Sequence, residues 1–464
     1  MHHIFKPPIK VLPMELFYRV SFQEVVADAL ILVREHEMSS KHALERVFRR
    51  VTGKDREKAR GLAHAYVFEI EKWRAKIDFI INSVLKGSTV EDLDPYLANL
   101  LRIGTFEIHF RKVPPAIATD SIIRVVKEKF DFSRAKFVNA LMHSIEKFDV
   151  EKALERLKEK DRIEWLSVRF SHPRWYVEYA IELFGYEEAV RLLLSNNKPQ
   201  RYYVRANTLK TDVDSLRAYL EENGVRTALT PVPDVLKVLE YETPVTRLDW
   251  YKQGKFVIQD LASAYVAHVL APEPGERVLD LAAAPGSKTF HAAALMENRG
   301  EIVAVDYSYD RLMRMKEKMK LLGIENVRLV HADGQSFRDK EGFDKIILDA
   351  PCSSSGTYRQ FPEVKWHFSE EKIGRIISVQ RNMLRNAYEN LRDGGEMTYS
   401  TCSIRIDENE ENVLFAIDRV GLELVPYDFS WGDRGFLEVG DKVFRAWTHR
   451  HDCNSFFIAK MGRH

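Results

Sequence analysis

Cys352 and Cys402 each stand just past a short apolar run, in I-I-L-D-A-P-C-S-S-S-G (Ile346 to Gly356) and M-T-Y-S-T-C-S (Met397 to Ser403). If both runs are strands of one sheet, both thiols reach the same reaction zone. A lone cysteine in such a place is more often a small buried hydrophobe, but matching positions in two strand-end loops favour chemistry. The chemistry that uses a thiol here is covalent activation of a pyrimidine. Carbon 5 is a poor nucleophile, and adding a thiolate to carbon 6 while N3 is protonated makes it enamine-like, splitting one hard step into easier ones. A free cysteine of pKa about 8.5 is only about 3% thiolate at pH 7, so the site must favour the anion or take its proton during attack. Lys288 is a cation suited to that task. Asp349, shortly before Cys352, can hydrogen-bond N3 and the exocyclic amine. A base then removes the carbon 5 proton and the thiol leaves. Spacing alone leaves open which cysteine attacks.

A methyl donor needs its own pocket, and V-L-D-L-A-A-A-P-G-S-K-T (Val278 to Thr289) offers one. Ala282, Ala283, Ala284 and Gly286 let a ligand approach the backbone closely, and the helix that follows exposes free amide groups. A phosphate-binding P-loop would need glycine where Ala282 and Ser287 stand, and the dinucleotide fingerprint is missing too, so the pattern favours a nucleoside without phosphates. The next run, I-V-A-V-D, ends at Asp306, whose carboxylate can accept from both hydroxyls of a ribose. A third run ends at Asp333, where an adenine amino group can be read. An isolated Asp after a strand is usually a helix cap. Three in consecutive units (Asp280, Asp306, Asp333) beside a glycine-containing loop reverse that preference and suit S-adenosyl-L-methionine.

The elements that must position these groups are strands alternating with helices. Arg277 to Leu281, Glu301 to Val305, Val327 to Val330, Lys345 to Leu348 and Glu396 to Tyr399 are the strand candidates, which predicts an α/β, doubly wound, mostly parallel sheet. Ligands in such sheets sit beyond the carboxyl ends of the strands. Upstream, Tyr202 to Val204 reads as a strand, followed by R-A-N-T-L-K and a helix ending near Gly224, in a mixed connecting region. His172, in S-H-P-R-W, reads as a structural histidine. From Phe22 to Phe148 the pattern is helical, with Val25, Val26, Ala29, Leu32 and Val33 on one face and Trp73, Ile77, Ile80, Ile81 and Val84 on another. Its polar faces carry Arg49, Arg50, Lys54, Arg56, Lys58 and Arg60, then Arg111, Lys112, Arg134 and Lys136. Solvated helix faces and an RNA-contacting surface are the two readings of these charges.

At 464 residues the chain is long enough for about three domains. With 45% hydrophobic and 30% charged residues it is not compositionally disordered. Its longest apolar stretches fall short of the roughly 18 to 20 residues that span a bilayer. Met1 to Lys10 lacks a secretory pattern, so a cytoplasmic protein is expected. Three cysteines without short-spaced clusters exclude a disulfide framework or a structural zinc motif, and no metal is expected. A net charge of +1 means that a polyanion would have to be met by a local basic surface.

Two resemblances refine this. Arg102 to Pro115 (R-I-G-T-F-E-I-H-F-R-K-V-P-P) with K-F-V-N-A-L (Lys136 to Leu141) resembles the RNA-binding NusB fold, which implies RNA docking by an all-α N-terminal domain. R-A-N-T-L-K, V-I-Q-D-L-A-S, A-A-A-P-G-S-K-T, V-D-Y-S-Y-D-R, D-A-P-C-S-S-S-G, Y-S-T-C-S and F-F-I-A-K together resemble the NSUN/RsmB (Fmu) RNA cytosine-5 methyltransferases, from about Trp165 onward. That resemblance implies a Rossmann-like, seven-stranded catalytic domain with Cys402 as nucleophile and Cys352 assisting release. It implies Asp306 on ribose, Asp333 on adenine, and Ala282, Ala283, Ala284, Pro285, Gly286, Ser287 and Lys288 on the methionine end of the cofactor, with Arg311 also in the cofactor set. Asp349 would face cofactor and base, Lys288 would orient the target, and Arg205, Asn207, Gln259 and Asp260 would support the site. Three positions depart from the family pattern: Ile406 and Thr448 stand in place of proline, and Ser455 in place of glycine. They put the C-terminal loop geometry in doubt. Cys453 matches no catalytic position and reads as structural.

The expected division is 1–150 NusB-like, 151–255 an α+β connecting domain, and 256–464 catalytic. The expected partner is RNA, ribosomal before transfer RNA, with no membrane and a monomeric protein. Trp366 and His367 are candidates to stack on a base. A non-catalytic RNA-binding assembly factor is the alternative of a different class, and a small-molecule methyltransferase a third.

Overall fold

In the computed structural model the described residues are 21–51 and 56–464, without the side chains of 52–58. The N-terminal stretch read for a leader, Lys54, and the side chains of Arg56 and Lys58 therefore lie outside what is described. The chain forms two compact units, Met1–Ser171 and His172–His464.

The described part of the first unit is helical, as its 3.6-residue periodicity requires. Its opening helix, Phe22–Glu35, starts on a capping box in which Ser21 Oγ accepts from the Glu24 amide and Glu24 accepts from the Ser21 amide. Val25, Val26, Ala29 and Val33 are buried from it, while Leu32 is only partly so. The helix Pro95–His109 is buried from Leu97 to Ile108 and forms the axis of this core. Its Arg102 is fully buried but paired, with two bonds to Asp78 at 2.6 and 3.1 Å and one to Glu91 at 2.9 Å, so its charge is compensated. Pro115 then opens the helix Pro115–Lys129, where its missing N–H is harmless.

In the second unit, two helices, Arg174–Phe184 and Tyr186–Asn196, precede a four-stranded antiparallel sheet. Its strands are β1 (Tyr202–Ala206), β2 (Val225–Leu229), β3 (Val235–Tyr241) and β4 (Phe256–Ile258), in the order β2-β3-β1-β4. His172 is buried, stacked on Tyr176 and bonded to Asn196 at 3.3 Å, a structural histidine.

A nine-stranded sheet follows, made of β5 (Arg277–Asp280), β6 (Glu301–Asp306), β7 (Val327–His331), β8 (Phe343–Asp349), β9 (Leu391–Thr401), β10 (Glu423–Leu424), β11 (Asp433–Arg434), β12 (Phe444–Ala446) and β13 (Phe456–Gly462). The order is β11-β12-β13-β9-β8-β5-β6-β7, with β10 on β13. Strands β7, β6, β5, β8 and β9 are parallel, and β13, β12 and β11 complete the sheet antiparallel. The expected count was seven; β10 and β11, each two residues long, are the additions. Pairs this short carry too little alternation to read from sequence. The chain runs β5, β6, β7 outward and then returns to β8, so the direction of winding reverses between β5 and β8, where ligands gather.

Candidate active site

Register brings the two cysteine loops together. β8 and β9 are parallel neighbours with Asp349 opposite Ser400, so the loops that leave them start side by side. Cys352 Sγ and Cys402 Sγ lie 3.3 Å apart. The contact splits the pair: it holds the Cys402 sulfur below the ordinary thiol range despite its burial. Cys352 is pushed well above that range by the same contact and by burial. Asp349, at the end of β8, takes Lys288 Nζ on one oxygen at 2.6 Å and Ser400 Oγ on the other at 2.9 Å. Lys288 is itself buried and lowers the Cys402 pKa further through its charge.

A cavity of about 390 Å³ is lined by Cys402, Lys288, Asp349, Pro285, Ser287, Phe456 and the polar side chains of Arg205, Gln259, Asp260 and Asn454, among others. Cys352 faces a second cavity of about 160 Å³, lined with Trp175, Tyr358, His367 and Phe368. His367 is thus beside a thiol, whereas Trp366 is partly buried and not among the lining residues.

Glu408, fully buried, ties the two cysteine loops together. It accepts from the Ser353 amide at 2.8 Å, Gln380 Nε2 at 3.2 Å and Ser403 Oγ at 2.8 Å. The hydroxyls of Ser353, Ser355 and Ser403 close the network at 3.0 to 3.1 Å. Gly356 makes a third tie, donating to the Cys402 carbonyl at 2.8 Å and accepting from the Ser455 amide at 3.0 Å. A Cβ there would sit 2.3 Å from the Ser455 carbonyl oxygen, so no other residue fits. Sequence reading missed Glu408, whose D-E-N-E-E-N surroundings look like a solvated charge run.

At the end of β5, the Ala282–Gly286 turn precedes the helix Ser287–Leu295. Gly286 has φ +98°, and a Cβ on it would meet Phe290 at 2.4 Å. Asp306, buried at the end of β6, accepts from the Ala284 amide at 3.0 Å and the Ser308 amide at 2.9 Å. Arg311 lies 3.6 Å from Asp306 and donates to the Ala284 carbonyl, clamping the same turn. Asp333 is exposed beyond β7, accepting from the Gln335 amide at 2.9 Å. The structure thus gathers Ala282 to Lys288, Asp306 and Arg311 around one turn, with Asp333 beyond the adjacent strand. Neither Asp306 nor Asp333 lines the cavity that holds Cys402.

The supporting positions divide. Asn207 holds backbone, bonding the Gly254 and Leu322 carbonyls at 2.8 Å each. Asp260 accepts from the Asn454 amide at 3.0 Å, and burial pushes its carboxyl up to about 6. Burial also draws Arg205 down to about 10. Arg205 stands 4.0 Å from Asp234, whose carboxylate meets His268 at 2.8 Å and His291 at 2.7 Å. Burial raises the Asp234 pKa, but these two histidines outweigh it and leave the carboxyl low. Nothing in the spacing of Asp234, His268 and His291 marked this cluster, because three separate segments supply it.

The three departures from the family pattern are accommodated. The Ile406 amide donates to Tyr179 Oη at 2.8 Å, a bond proline could not make. Thr448 and Ser455 are buried against each other: the Thr448 amide donates to Ser455 Oγ at 3.1 Å, and the two hydroxyls are also 3.1 Å apart. The doubted loop geometry is held by the departures themselves. Cys453 is buried in the core beside β12 and β13.

Comparison with known proteins follows the same order. The NusB family matches residues 21–147, the RsmF/B-like ferredoxin-like domain residues 172–246, and the 16S rRNA methyltransferase RsmB/F model residues 267–462. A probable ribosomal RNA small subunit methyltransferase B of Bacillus subtilis is 27% identical over 96% of this chain and 99% of its own length. A tRNA (cytosine(72)-C(5))-methyltransferase of Pyrococcus horikoshii is 30% identical, covering 62% of this chain and 96% of that protein. The chain spans 39 to 51% of the length of the eukaryotic rRNA (cytosine-C(5))-methyltransferases that it matches at 33 to 34% identity. The crystal structure of PH0851 superposes with a TM-score of 0.79 at 30% identity, over 96% of this chain and 100% of that one. NSun6 from Pyrococcus horikoshii with SFG gives 0.58 at 29% identity, over 63% and 98%. Matched in one order by three models and along nearly its whole length by a structural relative, the chain belongs to the RsmB/F family of RNA (cytosine-C5) methyltransferases.

Proposed function

We propose that the protein methylates carbon 5 of a cytosine in ribosomal RNA, with S-adenosyl-L-methionine as donor and Cys402 as nucleophile. The observation that carries this reading is the thiol pair: Cys402 Sγ, 3.3 Å from Cys352 Sγ, shares one cavity with Lys288 and Asp349.

The donor set at the strand ends fits the cofactor. Asp306 accepts one bond on each oxygen and keeps capacity for two hydroxyls, so it would hold the ribose. Asp333 would take the adenine amine, and the Ala282 to Lys288 turn the methionine end. When bound, the cofactor supplies a methyl group on a sulfonium. Cys402 Sγ bonds to carbon 6, and the displaced electron pair moves onto N3. Asp349 accepts from the exocyclic amine while Lys288, already bonded to Asp349, brings N–H donors to N3. After methylation a base takes the carbon 5 proton, the carbon 6–sulfur bond breaks, and Cys352 assists release.

A paired cytosine hides its carbon 5, so the target lies in a loop or is flipped out at a cost of a few kcal/mol. The helical unit supports RNA contact: Phe132 is 69% exposed with Lys136 Nζ 4.7 Å from its ring centroid, and Arg134 is on the same helix. The three-part division at 150 and 255, a monomeric state, independence of metal and a cytoplasmic location belong to the same reading.

Bisulfite mapping of RNA from cells with and without the gene tests it. One 5-methylcytosine should vanish from ribosomal RNA. Loss from transfer RNA instead would move the substrate, and no loss anywhere would overturn the activity.

A further inference from the structure

The cavity holding Cys402 has a polar wall that the mechanism above leaves unused. Gln259, directly after β4, is buried and lines that cavity together with Arg205, Lys288 and Asp349. Arg205 Nε donates to Gln259 Oε1 at 2.8 Å. A guanidinium has donors only, so this bond settles which way the amide points: the oxygen faces Arg205 and the NH2 faces away. That NH2 has no hydrogen-bond partner among the described residues. A buried donor without a partner is costly unless a ligand completes it. The orientation is fixed at its other end as well, since Asp234 faces Arg205 and is held by His268 and His291.

We propose that Gln259 Nε2 donates a hydrogen bond to the O2 carbonyl oxygen of the target cytosine. This rests on the function proposed above. In a cytosine attacked at carbon 6, the electron pair that reaches N3 is shared with O2 through the N3–C2 bond. O2 flanks N3 on the side opposite the exocyclic amine. With Asp349 and Lys288 at the amine and N3, the remaining acceptor of the ring is O2, and the buried amide donor of the cavity wall left without a partner among the described residues is that of Gln259. A donor aimed where charge develops acts on the transition state rather than on binding alone.

Gln259→Glu is the decisive variant, because it keeps an acceptor for Arg205 while removing the NH2. On a synthetic RNA hairpin carrying the mapped target, kcat/KM should fall about 100-fold, mainly through kcat, with cofactor Kd and melting temperature near wild type. The second arm replaces the target cytidine by 2-thiocytidine, a weaker acceptor. Wild type should slow on it, whereas Gln259→Leu should show little additional loss. Equal slowing of both proteins would place the contact on ribose or phosphate and overturn the O2 assignment, as would a Gln259→Glu protein with unchanged kcat. A wild-type protein that does not methylate the cytidine hairpin would overturn the proposed function itself.

Discussion

Cys352 Sγ touches Cys402 Sγ at 3.3 Å, yet the two residues line different cavities. Cys402 opens onto the space shared with Lys288 and Asp349, and Cys352 onto an aromatic recess with Trp175 and Tyr358. The pair forms a partition between the two spaces.

Cys402→Ala should abolish methyl transfer while cofactor binding, read by calorimetry, stays close to wild type. Cys352→Ala should retain addition and impair resolution, so a denaturation-resistant protein–RNA band should accumulate on gels. Turnover by the first variant, or fast turnover without adduct by the second, would reverse the assignment.

The contact from Cys352 is the largest influence holding the Cys402 pKa down. In Cys352→Ala the acid limb of the rate of adduct formation should therefore move to higher pH than the corresponding limb of wild-type turnover. Stopped-time gel assays across pH 5 to 9 would read it. A limb that stays in place would mean that Lys288 and the Ser354 hydroxyl, 3.5 Å from the Cys402 sulfur, suffice to stabilise the thiolate.

Ser455→Gly should leave both the amide and the hydroxyl of Thr448 without a buried partner, at about 1 to 3 kcal/mol. Thr448→Pro in the same chain removes both groups at the first position of the helix Thr448–His451, where proline is tolerated. The double variant should thus be more stable than Ser455→Gly alone in chemical denaturation. Simple additivity of the two losses would show that the pair does not act as a unit.

Burial and the Arg205 charge drive His291 down to about 3, so its imidazole stays neutral in the folded protein. The unfolded chain takes up that proton near pH 6.5. Stability is therefore fully present above pH 6.5 and is lost as pH falls toward 3, because the unfolded state binds more protons there. Asp234, held low by its histidines, adds a further loss below the ordinary carboxylate range. His449, drawn down to about 4 chiefly by burial, contributes in the same window. His291→Gln should flatten the slope of melting temperature between pH 6.5 and 4 without removing it. An unchanged slope would mean that His291 is protonated in the fold.

The strand ends were legible because a parallel sheet announces itself as apolar runs with chemistry immediately after them. Asp306, Asp349, Cys352 and Cys402 all follow that rule. Choosing between the two cysteines was not legible, since both follow the strand-end rule equally. Nor was the Asp234, His268 and His291 cluster, assembled from β3's approach, a later helix and the cofactor-loop helix. The free amide of Gln259 belongs to the same class: the residue is visible in V-I-Q-D-L-A-S, but its vacancy exists only once Arg205 has claimed the oxygen. Ile406, Thr448 and Ser455 looked like faults in a pattern and are satisfied by partners that only tertiary structure supplies.

Strand β9, which delivers Cys402, is flanked by β8 on one side and by β13 on the other. During folding that second neighbour must return from far downstream in the chain, and until it docks, β9 is an open edge of hydrogen-bonding groups. The interval is when this protein is most prone to pair with itself or with another nascent chain, and refolding yield should depend steeply on concentration.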